Sequence, residues 1–199
     1  MQTAHELFLH ELSDMLDAER NILEALEEQA NESSRPDLQK AFESHRQQTE
    51  KQVQRLEQVF ESLEEEPEET ECKGIQGLIA EHDSFKEEDP SEDLIDIFNA
   101  GAACKVEHYE IAAYTSLINL AQQMGHTKAV KLLNQNLKEE LQTLKKMEGF
   151  IKKLKPERLM DEEEEQEEED AVGEEMEESD ESASTRKSSS KSRSGRRAA

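Results

Sequence analysis

Apolar side chains return every three or four residues through four long windows of this chain, the spacing that lines one face of an α-helix. The first window runs from about Ala4 to Ala30 and carries Phe8, Leu12, Met15, Ile22, Leu23 and Leu26 on one stripe. The second begins near Pro36, whose fixed φ suits a first helical turn, continues through Leu38, Phe42, Val53, Leu56, Phe60 and Leu63, and stops before Pro67. The third spans about Ser91 to Met124 and ends at Gly125. The fourth opens at Thr127, read as its N-cap, and runs through Leu133, Leu137, Leu144, Met147 and Ile151 to about Leu154.

Loop lengths then restrict how these helices pack, because a short loop forces its two helices antiparallel. Asn31 to Arg35 joins the first to the second, and Gly125 with His126 joins the third to the fourth, so each pair reads as a hairpin. The stretch between the hairpins, Glu64 to Pro90, is long enough to cross a bundle and holds a short amphipathic piece, Gly74 to Phe85. Two hairpins joined by one long crossover is the ferritin-like plan of an all-α four-helix bundle, with a short fifth helix in the crossover.

Composition agrees with that plan and adds a tail. Only 33% of the 199 residues are hydrophobic and 37% are charged, with 7 Gly, 4 Pro and no Trp, which favours helices with narrow apolar stripes over a turn-rich β-sandwich. The periodicity stops at Pro156. Asp161 to Asp170 is nearly all acidic, and a Ser-rich stretch with Lys and Arg follows, so the expected organisation is a helical domain over 1–156 and a disordered charged tail over 157–199.

Charge and cysteine content narrow the function classes. The net charge is -25, and the part before residue 157 alone holds 33 acidic against 17 basic side chains. Such a body repels phosphates, which disfavours nucleic acid as a partner, and only the basic end of the tail, Arg186 to Arg197, runs the other way. No run of apolar residues is long enough to span a bilayer, and Met1 to His10 lacks the features of a signal peptide, so no membrane partner and a cytoplasmic location are expected. Cys72 and Cys104 are far apart and form no C-x-x-C, which points to structural thiols. Neither a nucleophile beside a base at motif spacing nor a Gly-rich phosphate loop appears, so the balance leans away from an enzyme.

Candidate chemistry lies in polar residues on the inner stripes, where a side chain facing three other helices needs a partner, a metal or water. Glu19 falls near the centre of the first stripe and Glu140 near the centre of the fourth, between Leu137 and Leu144. His45 and Thr49 sit between Phe42 and Leu56 on the second. The third helix offers two arcs, one with His108 near its centre among Ile97, Cys104, Ile111, Ala112 and Thr115, the other with Glu110 on it and Glu107 at its border, beside Ala103, Tyr114 and Ala121. Either can line the interior, and the arc left outside is a candidate dimer surface. Counted from the hairpin turns, Glu19 and Gln48 lie about 14 residues along their helices and Glu110 and Glu140 about 15, roughly 22 Å along the axis, with Glu107 and His45 about one turn away. A shared layer of carboxylates and imidazole is what a di-iron or di-manganese site in a bundle requires. The usual Glu-x-x-His is absent and Glu107-x-x-Glu110 is the nearest spacing; the alternative is a set of buried acids satisfied by His45, His108, Lys105 or water.

Five segments in this order resemble the YciE/YciF family: Leu16-Asp17-Ala18-Glu19, His45 with Thr49, Cys72-Lys73 followed by Gly77-Leu78-Ile79, Lys105 through Ala112, and Glu139-Glu140. The resemblance covers about residues 5–155 and implies a ferritin-like fold, a stress-associated role and a homodimer. It also implies a two-metal site for iron or manganese at Glu19, His45, Glu107, Glu110 and Glu140. Gln47, Gln48 and Leu144 stand where members usually carry acids, which implies weaker cation binding. Two functions are therefore expected to compete. One is metal-dependent oxygen or peroxide chemistry, and the other is a structural or interaction protein acting through its dimer surface and tail.

Overall fold

A computed structural model of the chain describes residues 1–153, so expectations for the tail at 157–199 fall outside the described residues. Five helices occupy them: α1 (Ala4–Glu32), α2 (Pro36–Leu63), α3 (Lys73–Lys86), α4 (Glu92–Gln123) and α5 (Thr127–Ile151). The sequence-predicted windows match these within a few residues. α1 starts where Thr3 and Glu6 cap each other reciprocally, the capping box that satisfies two of the free N–H groups of a first turn. Pro36 stands in the first turn of α2, where its missing N–H costs nothing.

One expected cap is corrected. His126, not Thr127, is the N-cap of α5, and no side chain caps that helix. Gly125 at φ 75° makes the chain reverse so tightly that Thr127 is already helical, while the His126 ring packs beside those of Phe8 and His5.

Contacts at the helix ends fix the topology. α2 finishes beside the start of α1, where His5 Nε2 lies 3.1 Å from Glu65, whereas α4 begins at the opposite end, where Asp96 accepts hydrogen bonds from the Ser34 N–H (3.0 Å) and hydroxyl (2.7 Å). The crossover therefore travels the length of the bundle, and α2 and α4 point the same way. α1 packs on α2 and α4, α5 packs on α2 and α4, and α3 lies across α1 and α4. This is a ferritin-like four-helix bundle with a fifth helix in its crossover.

Polar contacts fasten the crossover to the bundle. Asp17 accepts from the Cys72 N–H at 2.8 Å, and the Tyr109 hydroxyl reaches both Cys72 Sγ (3.0 Å) and Asp14 (3.2 Å). Gly74 makes that approach feasible, since a Cβ there would lie 2.5 Å from the Tyr109 ring. The core runs between the four long helices and includes Phe8, Leu12, Leu26, Leu38, Phe42, Leu56, Phe60, Leu133 and Met147.

Candidate metal centre

Helical spacing along α4 decides which of its two arcs faces inward. Asp96, Asn99, Ala103, Glu107, Glu110, Tyr114, Leu117 and Ala121 follow one another every three or four residues, and all are buried. His108 lies on the other arc and is exposed, so it is not an interior partner for the glutamates, and Lys105 pairs with Glu81 on α3 instead.

Three helices then meet in one layer. His45 from α2, Glu107 and Glu110 from α4, and Glu140 from α5 each present a ligand atom such that all four atoms lie within 4.8 Å of one another. His45 Nε2 stands 3.3 Å from Glu107 and 3.7 Å from Glu140. Glu19 of α1, also fully buried, borders this group rather than joining it, held by a hydrogen bond from the Tyr114 hydroxyl. Every glutamate singled out in the sequence is thus interior at mid-bundle.

Further polar side chains tie the layer to the surface. Gln52 donates to Glu140. Asn136 donates to the Tyr114 hydroxyl at 2.9 Å and accepts from Arg55 at 2.7 Å, while Arg55 also grips Glu139 with two bonds of 2.7 and 2.9 Å. Sequence reasoning missed Gln52, Arg55 and Asn136 as members of the site. The signal for two of them was present: Gln52 continues the series His45, Thr49, Leu56, and Asn136 the series Leu133, Glu140, Leu144.

The electrostatics of the layer are unbalanced. Burial first, and then the nearby Glu140 carboxylate, push the carboxyl groups of Glu19, Glu107 and Glu110 well above the ordinary range. Among the described residues, no hydrogen-bond partner reaches either oxygen of Glu107 or Glu110, Oε2 of Glu19 or Glu140, or either ring nitrogen of His45. Buried polar atoms are satisfied in more than about nine cases in ten, so this concentration in one layer is unusual. Carboxylate oxygens with one imidazole make a donor set that suits iron or manganese, and the unbonded atoms are the ones such a cation would take.

Gln47, Gln48 and Leu144 lie outside the group. Gln47 is exposed, and Gln48 donates to Thr143 at 3.2 Å. Gln48 and Thr143, with Ser44, Gln142 and Lys146, line a polar cleft of about 160 Å³ that reaches His45 between α2 and α5. The uncharged residues at these positions therefore remove no carboxylate from the four-residue cluster. Leu144 is itself nearly buried.

Residues 3–160 match the family described as "Domain of unknown function (DUF892)". The chain belongs to the DUF892 family. It is 39% identical to Protein YciF of Escherichia coli (strain K12) over 144 residues, which is 72% of this chain and 87% of that protein. The solved structure of the E. coli stress protein YciF superposes with a TM-score of 0.75 at 37% identity, covering 77% of this chain and 98% of YciF. YcfI from Rhodopseudomonas palustris gives 0.72 at 38% identity, covering 74% and 94%. A protein from Xanthomonas campestris, at 19% identity and a TM-score of 0.61, shares the fold. These DUF892 relatives bear out the resemblance drawn from five sequence segments. No helix among the described residues is long and apolar enough to cross a membrane.

Proposed function

We propose that this protein holds a pair of iron or manganese ions at mid-bundle through His45, Glu107, Glu110 and Glu140, with Glu19 alongside, and that it serves a stress response. The observation that carries this reading is the group of four buried donors within 4.8 Å, most of whose ligand atoms have no other partner. Ionised carboxylates in such a place cost several kcal/mol each unless a cation compensates them. A pair of such ions, when bound, supplies electron transfer to dioxygen or peroxide. The chain's own residues orient the donors: Gln52 fixes Glu140, and Tyr114 fixes Glu19. The stress role follows from the description of YciF as a stress protein.

Metal analysis of protein purified without chelator tests this, repeated on Glu140→Ala and Glu107→Ala. About two ions per chain are expected in the wild type, as in di-metal carboxylate bundles, with most of them lost from either variant. A wild-type protein that takes up no iron, manganese or zinc even when each is supplied sinks the reading.

A second reading rests on the arc of α4 that faces out. Ile97, Cys104, Ile111 and Ala112 lie on it, and α5 adds Leu141 and Ile151, exposed to 42% and 39%. A second copy of this chain fits such an apolar face, and the resulting homodimer would act as a scaffold with or without metal. Leu141→Glu is expected to turn dimer into monomer in light scattering while leaving metal content unchanged.

A further inference from the structure

Beneath α3, two small cavities lie in line between the bundle surface and the metal cluster. The outer one, of about 30 Å³, is bounded by Leu78 and His82 of α3, by Phe98 and Ala102 of α4, and by the exposed Glu28 and Lys105 at its mouth. The inner one, of about 20 Å³, is walled by Ile22, Leu26, Ile75 and Ala103 and ends on His45 and Glu107. They share Ala25, Gln29, Ile79 and Val106 as walls.

Size and lining select what can occupy them. A space of this volume admits one water-sized body, since a water needs roughly 10–15 Å³. Water also needs two to four polar partners. The polar groups stand at the outer cavity (Glu28, Glu81, His82, Lys105) and at the inner end (His45, Glu107). The stretch between, walled by Ala25, Ile79, Val106, Ile22, Leu26, Ile75 and Ala103, offers only Gln29 and favours an apolar occupant of the kind that xenon probes. On the opposite flank, the polar cleft between α2 and α5 reaches the same His45. One histidine is therefore approached from two sides by spaces of opposite character.

We infer that the space under α3 is a passage for a small apolar gas, dioxygen being the one of matching chemistry, from the bundle surface to the Glu107 side of the metal cluster, while ions and water use the α2–α5 cleft. α3 then has a task beyond crossing the bundle. Ile75, Leu78 and Ile79 roof the passage, and the side chains shared by the two cavities open it by ordinary rotamer motion on the ps–ns scale. Small residues set its bore, with Ala25 at the junction and Ala103 at the inner wall. The inference rests on the metal reading only for what the passage delivers to.

Xenon pressurisation of crystals of the metal-free protein tests the passage without reference to metal. Xenon is expected in the inner cavity against Ile22, Ile79 and Val106, and is expected to vanish in Ala103→Leu. In iron-loaded protein, Ala103→Leu should keep its iron content but slow reoxidation by dioxygen about tenfold, equivalent to about 1.4 kcal/mol in barrier. Reaction with hydrogen peroxide, which is polar and uses the cleft, should be unchanged. Ala25→Leu serves the same comparison if Ala103→Leu folds poorly. Xenon absent from the wild type, ordered water filling the inner cavity, or an unaltered dioxygen rate in a folded, filled variant overturns the passage. Xenon bound in a protein that takes up no metal upholds the passage and removes the metal reading.

Discussion

The two ends of the bundle and its middle are built on opposite terms. Phe8, Leu12, Phe60 and Leu133 fill the end where α1 starts, and Leu26, Leu38, Phe42 and Met147 the end where it finishes, all of them at most 3% exposed. Between them sit Glu19, His45, Gln52, Glu107, Glu110, Asn136 and Glu140, equally buried but polar. The ends gain free energy by leaving water, whereas the middle loses it wherever a polar atom goes unpartnered. The fold is thus held at its ends and strained at its centre, the distribution expected when the central groups are retained for something other than stability.

The largest effect should come from breaking an end. Phe42→Ala removes a fully buried aromatic ring and is expected to lower unfolding free energy by roughly 3–5 kcal/mol, read as a reduced midpoint in urea. A smaller loss would mean that the ends do not carry the fold as described.

The middle should respond with the opposite sign. Glu110→Met replaces a buried carboxyl that has no hydrogen-bond partner by an apolar side chain of similar size, so the metal-free protein should be unchanged or gain about 1–4 kcal/mol. The same substitution should weaken metal uptake. Destabilisation of the metal-free form by several kcal/mol would show that Glu110 is satisfied in a way the geometry does not provide.

Proton linkage sharpens the contrast. Glu19, Glu107 and Glu110 bind their protons more tightly folded than unfolded, so the folded state holds more protons above the ordinary value of 4.5. Their contribution is fully present below that value and is lost as pH rises through the raised folded values. Metal-free protein should therefore melt at a lower temperature at pH 8 than at pH 6. Glu110→Met should flatten the trend, and bound metal should reverse it, because cation and proton compete for the same oxygens. A melting temperature that rises with pH in the metal-free protein contradicts this account.

How much of this the sequence disclosed varied with the element. The stripes of α1, α2 and α5 are narrow, so Glu19, His45 and Glu140 stood out as polar interruptions of a single apolar face. α4 is apolar on two arcs, and its inward side was legible only once α1, α5 and α3 had been packed against it. The crossover was readable from length alone, but its attachment through Cys72 to Asp17 and to Tyr109 joins positions 55 and 37 residues apart, which no local pattern encodes. Gln52 and Asn136 lay on their stripes as plainly as His45 did, yet a neutral amide is a weaker signal than a charge. Arg55 is half-buried at the stripe's edge, and its role depends on a partner in another helix.

That Arg55 network offers the finest division between middle and surface. Arg55 grips Glu139 with two bonds and orients Asn136, which in turn holds the Tyr114 hydroxyl beside Glu19; Arg20 meets Glu57 through one exposed contact of 3.2 Å. Lysine cannot reproduce a planar fork, so Arg55→Lys should cost about 1–2 kcal/mol in urea unfolding. Arg20→Ala should stay within about 0.5 kcal/mol, since an exposed pair gains little over its hydrated charges. Equal effects from the two substitutions would mean that Arg55 belongs to the solvated surface, and that the polar layer is supported from within by Gln52 and Tyr114 alone.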